Sequence, residues 1–235
     1  MRCLKSLLTI LVATVLVSCG GGGGCASSAE CAATAATGAS GTAVPSFSAI
    51  AVSIGFDGTI ASVDLDKRYG KTFAVSVADP NGFAVAGAVV TPEVSIPKYY
   101  KGFFTRTDDF SVTAIASFEC PNEDINRNDV LDAGEDRNGD GEISPRQSLV
   151  TVTPTSGVTD ANGIAFFEVR HFKSHAYWMH YRFTAKVAVN TTEGSAFQDV
   201  FRTGFIVGDD EVVNTPFLRS PWGADASAAG CTNRL

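Results

Sequence analysis

The chain has 235 residues, 45% of them apolar and 18% charged, with a formal net charge of −7. Such an acidic balance excludes nucleic acid as an electrostatic partner, because phosphate binding needs a basic footprint. The length suits one elaborated domain with a sizeable core and does not require a second.

In chain order, a basic pair (Arg2, Lys5) precedes the apolar run Leu7 to Val17, which ends in Leu16-Val17-Ser18-Cys19. This is the layout of a signal peptide over residues 1–18, with an apolar run too short for the roughly 20 residues of a bilayer span. Its last four residues resemble the lipobox of bacterial lipoproteins. That resemblance implies cleavage before Cys19, lipidation of its thiol and a membrane tether through the lipid. Gly20 stands where Asp would favour inner-membrane retention, so the resemblance implies the outer membrane, at its periplasmic or its surface-exposed face. Loss of Arg2 and Lys5 takes the charge from −7 to −9. Residues 19–45 are rich in Gly, Ala, Ser and Thr and read as a flexible leash with a reach of about 30 Å.

From residue 46 onward period-two alternation dominates, bounded by Gly, Pro, Asn and Asp. Strands are predicted near Ala49–Ile54, Thr72–Ala78, Ala88–Ile96, Phe110–Phe118, Ser148–Thr153, Ile164–Phe172, His180–Asn190 and Ala196–Val207. Phe73, Val75 and Val77 form one core-facing set; Val112, Ala114, Ala116 and Phe118 a second; Tyr181, Phe183, Ala185, Val187 and Val189 a third. Asp79-Pro80-Asn81-Gly82 and Asp160-Ala161-Asn162-Gly163 supply tight turns. The expected fold is all-β, an antiparallel sandwich.

The run from Val75 to Val90, with Val158 to Ala165 and Phe183 to Val187, resembles bacterial Ig-like domains of the invasin and intimin type over roughly residues 46–207. The resemblance implies an antiparallel Ig-like β-sandwich, extracellular, serving as a spacer or adhesive module and carrying no catalytic residues. Two additions depart from the simple module, an acidic insert at 120–147 and a tail at 208–235 expected to dock on the domain.

The insert holds eight acidic residues (Glu123, Asp124, Asp129, Asp132, Glu135, Asp136, Asp140, Glu142) and three arginines. Calcium takes six to eight oxygens, which a twelve-residue loop delivers from positions 1, 3, 5, 7, 9 and 12. From Asp124 these are Asn126, Asn128, the Val130 carbonyl, Asp132 and Glu135, with Leu131 at the usually apolar position 8 and Asp129 where Gly is expected. From Asp136 they are Asn138, Asp140, the Glu142 carbonyl, Ser144 and Gln147, with Gly141 at the turn. Two abutting calcium-binding loops are therefore expected, and two Ca²⁺ ions. With no helix between them, they resemble the loops of dockerins and thrombospondin type 3 repeats, which implies a structural clamp rather than a sensor.

Of six cysteines, Cys3 leaves with the signal peptide and Cys19 carries lipid. Cys25, Cys31, Cys120 and Cys231 allow three pairings. Local pairing, Cys120 with Cys231 and Cys25 with Cys31, is the simplest; the leash thiols could instead stay free or pair between molecules. His171, His175 and His180 lack a zinc motif and are expected on the surface or in a hairpin. Tyr99, Tyr100, Phe103, Phe104, Tyr177 and Trp178 are expected to pack in core or loops, or else to stack sugars.

No nucleophile beside His and Asp, carboxylate pair or phosphate-binding Gly loop has local support. The expectation is a non-enzymatic envelope lipoprotein acting in adhesion or assembly through an unidentified protein or glycan. A glycan-binding module and an accessory docking subunit of a secreted filament or complex are the alternatives.

Overall fold

The computed structural model describes residues 49–65, 67–106, 112–155, 157–202 and 218–233, with the backbone alone for Arg106 and residues 112–115. The expected signal peptide, the expected leash and Cys19, the expected site of lipidation, lie outside the described residues, as do Cys25 and Cys31.

Among the described residues, nine strands form two antiparallel sheets. In chain order they are β1 (Ala51–Phe56), β2 (Ala61–Val63), β3 (Arg68–Ala78), β4 (Val89–Arg106), β5 (Val112–Pro121), β6 (Val150–Pro154), β7 (Ile164–Phe172), β8 (Met179–Val189) and β9 (Thr192–Phe201). One sheet runs β1-β3-β7-β6 with β2 also on β3; the other runs β5-β4-β8-β9. The chain is thus all-β and antiparallel.

Alternation decides which side of each strand is dry. Phe73, Val75 and Val77 of β3 and Ala165, Phe167 and Val169 of β7 are fully buried, as are Tyr181, Phe183 and Ala185 of β8. Phe183 packs 4.8 Å from Phe73 and 5.8 Å from Phe167, ring centroid to centroid, so the two sheets share one core. Each such ring contributes about 1.5–3 kcal/mol on burial, which makes these central strands the stable part of the fold. The Asp79 and Asp160 turns form as expected. Each carboxylate accepts a backbone N–H two residues on (Asn81, Asn162) and another four residues on (Phe83, Ile164).

Three expectations are corrected. The strand predicted to stop at Ile96 continues to Arg106, because Pro97 falls at a bulge where pairing with β8 shifts between Ser95 and Lys98 and its missing N–H costs no ladder bond. β2 was not anticipated, since three residues are too short for a periodic signal. Phe118 is 37% exposed, because β5 is an edge strand beyond the shared core.

Residues 218–233 lie along β4. Gly102 N–H donates to the Gly223 carbonyl (2.9 Å) and the Gly102 carbonyl accepts from Ser220 N–H (3.0 Å), while Ser220 Oγ donates to the Tyr100 carbonyl (2.7 Å). Gly102 adopts φ +132°, and a Cβ there would sit 2.2 Å from the Ala116 carbonyl oxygen, so only glycine fits between β5 and this segment. The Cys120–Cys231 disulfide closes the contact, with the Cα atoms 5.5 Å apart.

Candidate metal centre

The acidic insert connects β5 to β6, and both of its ends are fastened to the β4 bulge. Asn122 Nδ2 donates to the Ile96 carbonyl (2.6 Å), Asn122 N–H to the Pro97 carbonyl (3.0 Å), and Ile96 N–H to Gln147 Oε1 (2.8 Å). Backbone groups that lose their ladder partners at the bulge are thereby satisfied by the insert.

Between these anchors the two loops repeat one geometry. Asp124 accepts the N–H groups of Asn128 (2.9 Å) and Asp129 (3.1 Å); Asp136 accepts those of Asp140 (3.1 Å) and Gly141 (3.0 Å). Position 3 serves position 5 in both, Asn126 to Asn128 (3.2 Å) and Asn138 to Asp140 (2.8 Å). Position 5 serves position 7 in both, Asn128 to Val130 (2.7 Å) and Asp140 to Glu142 (2.8 Å). The backbone is left-handed at positions 4 and 6 of each loop, at Arg127 (φ 62°) and Asp129 (φ 58°), then at Gly139 (φ 72°) and Gly141 (φ 82°).

Asp129 departs from the expected glycine for a visible reason. Its carboxylate accepts the N–H groups of Gln147 and Ser148 (3.1 Å), tying the first loop to the 3₁₀ turn before β6, which glycine could not do. Asp tolerates the left-handed conformation at a modest cost.

The loops are closed by two buried glutamates. Glu135 accepts Ile125 N–H (2.9 Å) and Asp132 N–H (3.0 Å), at positions 2 and 9 of the first loop. In the second loop, the corresponding groups of Arg137 (3.2 Å) and Ser144 (2.9 Å), with that of Asn138 (3.2 Å), are taken by Glu123. Glu123 is wholly buried, and burial raises its carboxyl above the ordinary range, against the pull of those N–H donors. Gln147, the template's twelfth residue, points instead to Ile96. Sequence reasoning missed Glu123; the signal was the Glu-Asp pair recurring at 123–124 and 135–136.

Ligand chemistry follows from this inventory. Asp124, Asn126, Asn128, Asp132 and Glu135 in one loop, and Asp136, Asn138, Asp140 and Ser144 in the other, with the Val130 and Glu142 carbonyls, are hard oxygen donors. An oxygen that accepts one N–H keeps a further lone pair, so the set fits Ca²⁺ better than softer metals. Among the described residues no three His, Cys, Asp or Glu side chains converge; the acids are interleaved with amides and backbone. Asp132 illustrates this, its carboxyl held below the usual range by donors from Asn126 (2.7 Å) and Asn128 (2.9 Å).

The loops differ in their setting. Ile143, at position 8 of the second, is buried, while Leu131 at the same position of the first is 37% exposed, beside exposed Ile125 and Val130. Arg127 reaches back to Glu93 (3.2 Å) on β4. The second loop borders a cavity of about 290 Å³ lined also by Lys101, Arg146 and Trp222.

The other candidates resolve separately. Tyr99, Tyr100, Phe104 and Trp178 are buried, so these aromatics pack rather than present faces to a sugar. Of the two placements expected for the histidines, surface or hairpin, the surface one is overturned for His171 and His180, which are buried on β7 and β8. Burial pushes the His171 and His175 imidazoles down to about 4, so both are neutral at pH 7. No protein-family model matches the chain, and no curated protein matches it.

Proposed function

We propose that this protein is a non-enzymatic outer-membrane lipoprotein, tethered through Cys19, which presents an Ig-like β-sandwich whose inserted loops are clamped by two Ca²⁺ ions. The observation that carries the reading is the twelve-residue repeat: two consecutive segments of different composition share hydrogen-bond pattern, left-handed positions and a buried closing glutamate. A solvated charge run has no reason to repeat in this way. Ion binding would neutralise carboxylates crowded into a segment that has little apolar core of its own, so the metal's role is structural. Adhesion, or assembly with other envelope components, is the role that such a rigidified and tethered module suits.

Calorimetry of the protein with Ca²⁺ and with chelator tests the ion assignment. A ligand at 100 times its Kd stabilises the folded state by about 2.7 kcal/mol, so the melting temperature should fall clearly on chelation. Superimposable transitions, with no ion co-purifying, would show the assignment to be wrong. Crosslinking and capture from intact envelope tests the role; a specific protein lost with Asp124→Ala or Asp136→Ala supports assembly through the insert.

A further inference from the structure

The chain enters the sandwich at Ala51, which pairs with Ala78 at the close of β3. The same end holds the Asp79 turn, the start of β4, the start of β7 and the close of β8. The acidic insert leads into the start of β6 at the opposite end, where β7 stops.

Charge is divided unequally between these ends. Eight acids and three arginines sit in the insert, whereas no charged residue occurs from Pro80 to Pro92, from Pro154 to Thr159 or from Val187 to Thr192. The two turn carboxylates at the entry end, Asp79 and Asp160, are each engaged by two backbone N–H groups. Large apolar side chains are exposed there instead: Phe83 is 71% exposed, Val89 56% and Val158 45%. Val89 bridges to Val158 and Ala84 to Ala78, and a Cβ on Gly163 would lie 3.2 Å from the Ala84 Cβ, so the segments bearing these three side chains are neighbours. The Phe83 N–H donates to Asp79 Oδ1 (2.9 Å) and its carbonyl accepts the Asp79 N–H (2.9 Å), which carries the ring outward on a braced turn.

An exposed apolar cluster rimmed by polar turns marks an interaction surface, and the point of chain entry says which one. On the lipoprotein reading, the residues ahead of Ala49 lead to an acyl anchor. The tether then keeps the entry end at a high effective concentration beside the bilayer, where a contact too weak to form between separate molecules is occupied. Asp79, Asp160 and Glu193, with no lysine or arginine in these stretches, give no attraction to anionic headgroups. Burial of apolar side chains in a zwitterionic surface remains as the driving force.

We infer that Phe83, Val89 and Val158 dip into the zwitterionic phospholipid surface that holds the Cys19 lipid, and so stand the sandwich on its entry end with the acidic insert turned away from the bilayer. The inference rests on the lipoprotein reading and adds an orientation to it.

The full chain, purified in detergent from bacterial membranes, is reconstituted into phosphatidylcholine vesicles with and without bromine on the acyl chains. Three variants are compared, Phe83→Trp, Val158→Trp and Leu65→Trp; Leu65 is 95% exposed and lies beside the start of β3, at the insert's end. Trp178 and Trp222, beside Phe104 and the second loop, supply a background common to all three. The emission added by Phe83→Trp and Val158→Trp should shift to the blue and lose most of its intensity to bromine, while that of Leu65→Trp keeps its intensity. Adding Phe83→Asp to Val158→Trp should remove the quenching, with a melting curve to establish that the variant is folded. Phe83→Trp unquenched, Leu65→Trp quenched to the same degree, or quenching of Val158→Trp that survives Phe83→Asp would overturn this inference and leave the lipoprotein reading standing. Mass spectrometry that finds Cys19 without lipid would overturn both.

Discussion

Glu123 and Glu135 close neighbouring loops in different ways: Glu135, the last residue of the first loop, accepts backbone donors of its own loop, while Glu123, which precedes the first loop, accepts those of the second. The second loop is therefore closed from a residue on the far side of the first, and the first loop's two ends are held within that closure.

Glu123→Gln should cost about 2 kcal/mol, because a buried carboxylate that serves three N–H groups becomes an amide able to serve fewer. On the calcium reading it should also halve the ion count, as should Glu135→Gln through the first loop. Gln147→Ala should cost about 1 kcal/mol through Ile96 N–H and leave the count unchanged. Urea melts with metal analysis by mass spectrometry check all three; a full ion count in Glu123→Gln would show that this residue only braces the backbone.

The Cys120–Cys231 bond closes a 111-residue span. Replacing both with Ser should lower stability by roughly 4–5 kcal/mol on the chain-entropy account. Residues 218–233 should become protease-sensitive before the sheets unfold, because their remaining hold is a few hydrogen bonds to β4 and the packing of Trp222 against Tyr99 and His175. Limited proteolysis followed over time, with and without reductant, measures this.

Gly102→Ala should destabilise by on the order of 3 kcal/mol, since a left-handed φ and a backbone oxygen 2.2 Å from the new Cβ both oppose it. Gly55→Ala in β1, where the added carbon meets nothing within 4 Å, is the control and should change stability by less than about 1 kcal/mol.

His171 sets a pH window. Its imidazole titrates near 4 in the fold against 6.5 when unfolded, so above 6.5 it is neutral in both states and contributes no pH dependence. Between 6.5 and 4 the unfolded chain takes up a proton that the buried ring refuses, so stability falls as pH falls, by on the order of 3 kcal/mol in total. Urea melts at pH 7, 5.5 and 4, flanking this window as a matter of about one step each, should show a drop that His171→Leu reduces; equal slopes in the two proteins would exclude His171 as the source.

Much of the β framework was legible in the chain because half-buried strands write their burial as alternation. β7 matches its predicted bounds, and the dry faces of β3 and β8 are the residues named from period two. β4 was legible only to Ile96, since the continuation through Pro97 depends on a bulge that the insert fills. The loops were readable through their Asx spacing, whereas the closing role of Glu123 was not, because its partners lie 14 to 21 residues away.

Period and spacing along the chain carried the all-β class, the dry faces of β3 and β8, the tight turns and the Asx register of the two loops, all of which are local. The folded chain bears out the pairing of Cys120 with Cys231 and the inward packing of Tyr99, Tyr100, Phe104 and Trp178, and it alone shows that Glu123 rather than Gln147 closes the second loop. That last contact is set by backbone hydrogen-bond demand between residues brought together by packing, for which a linear pattern carries no signal.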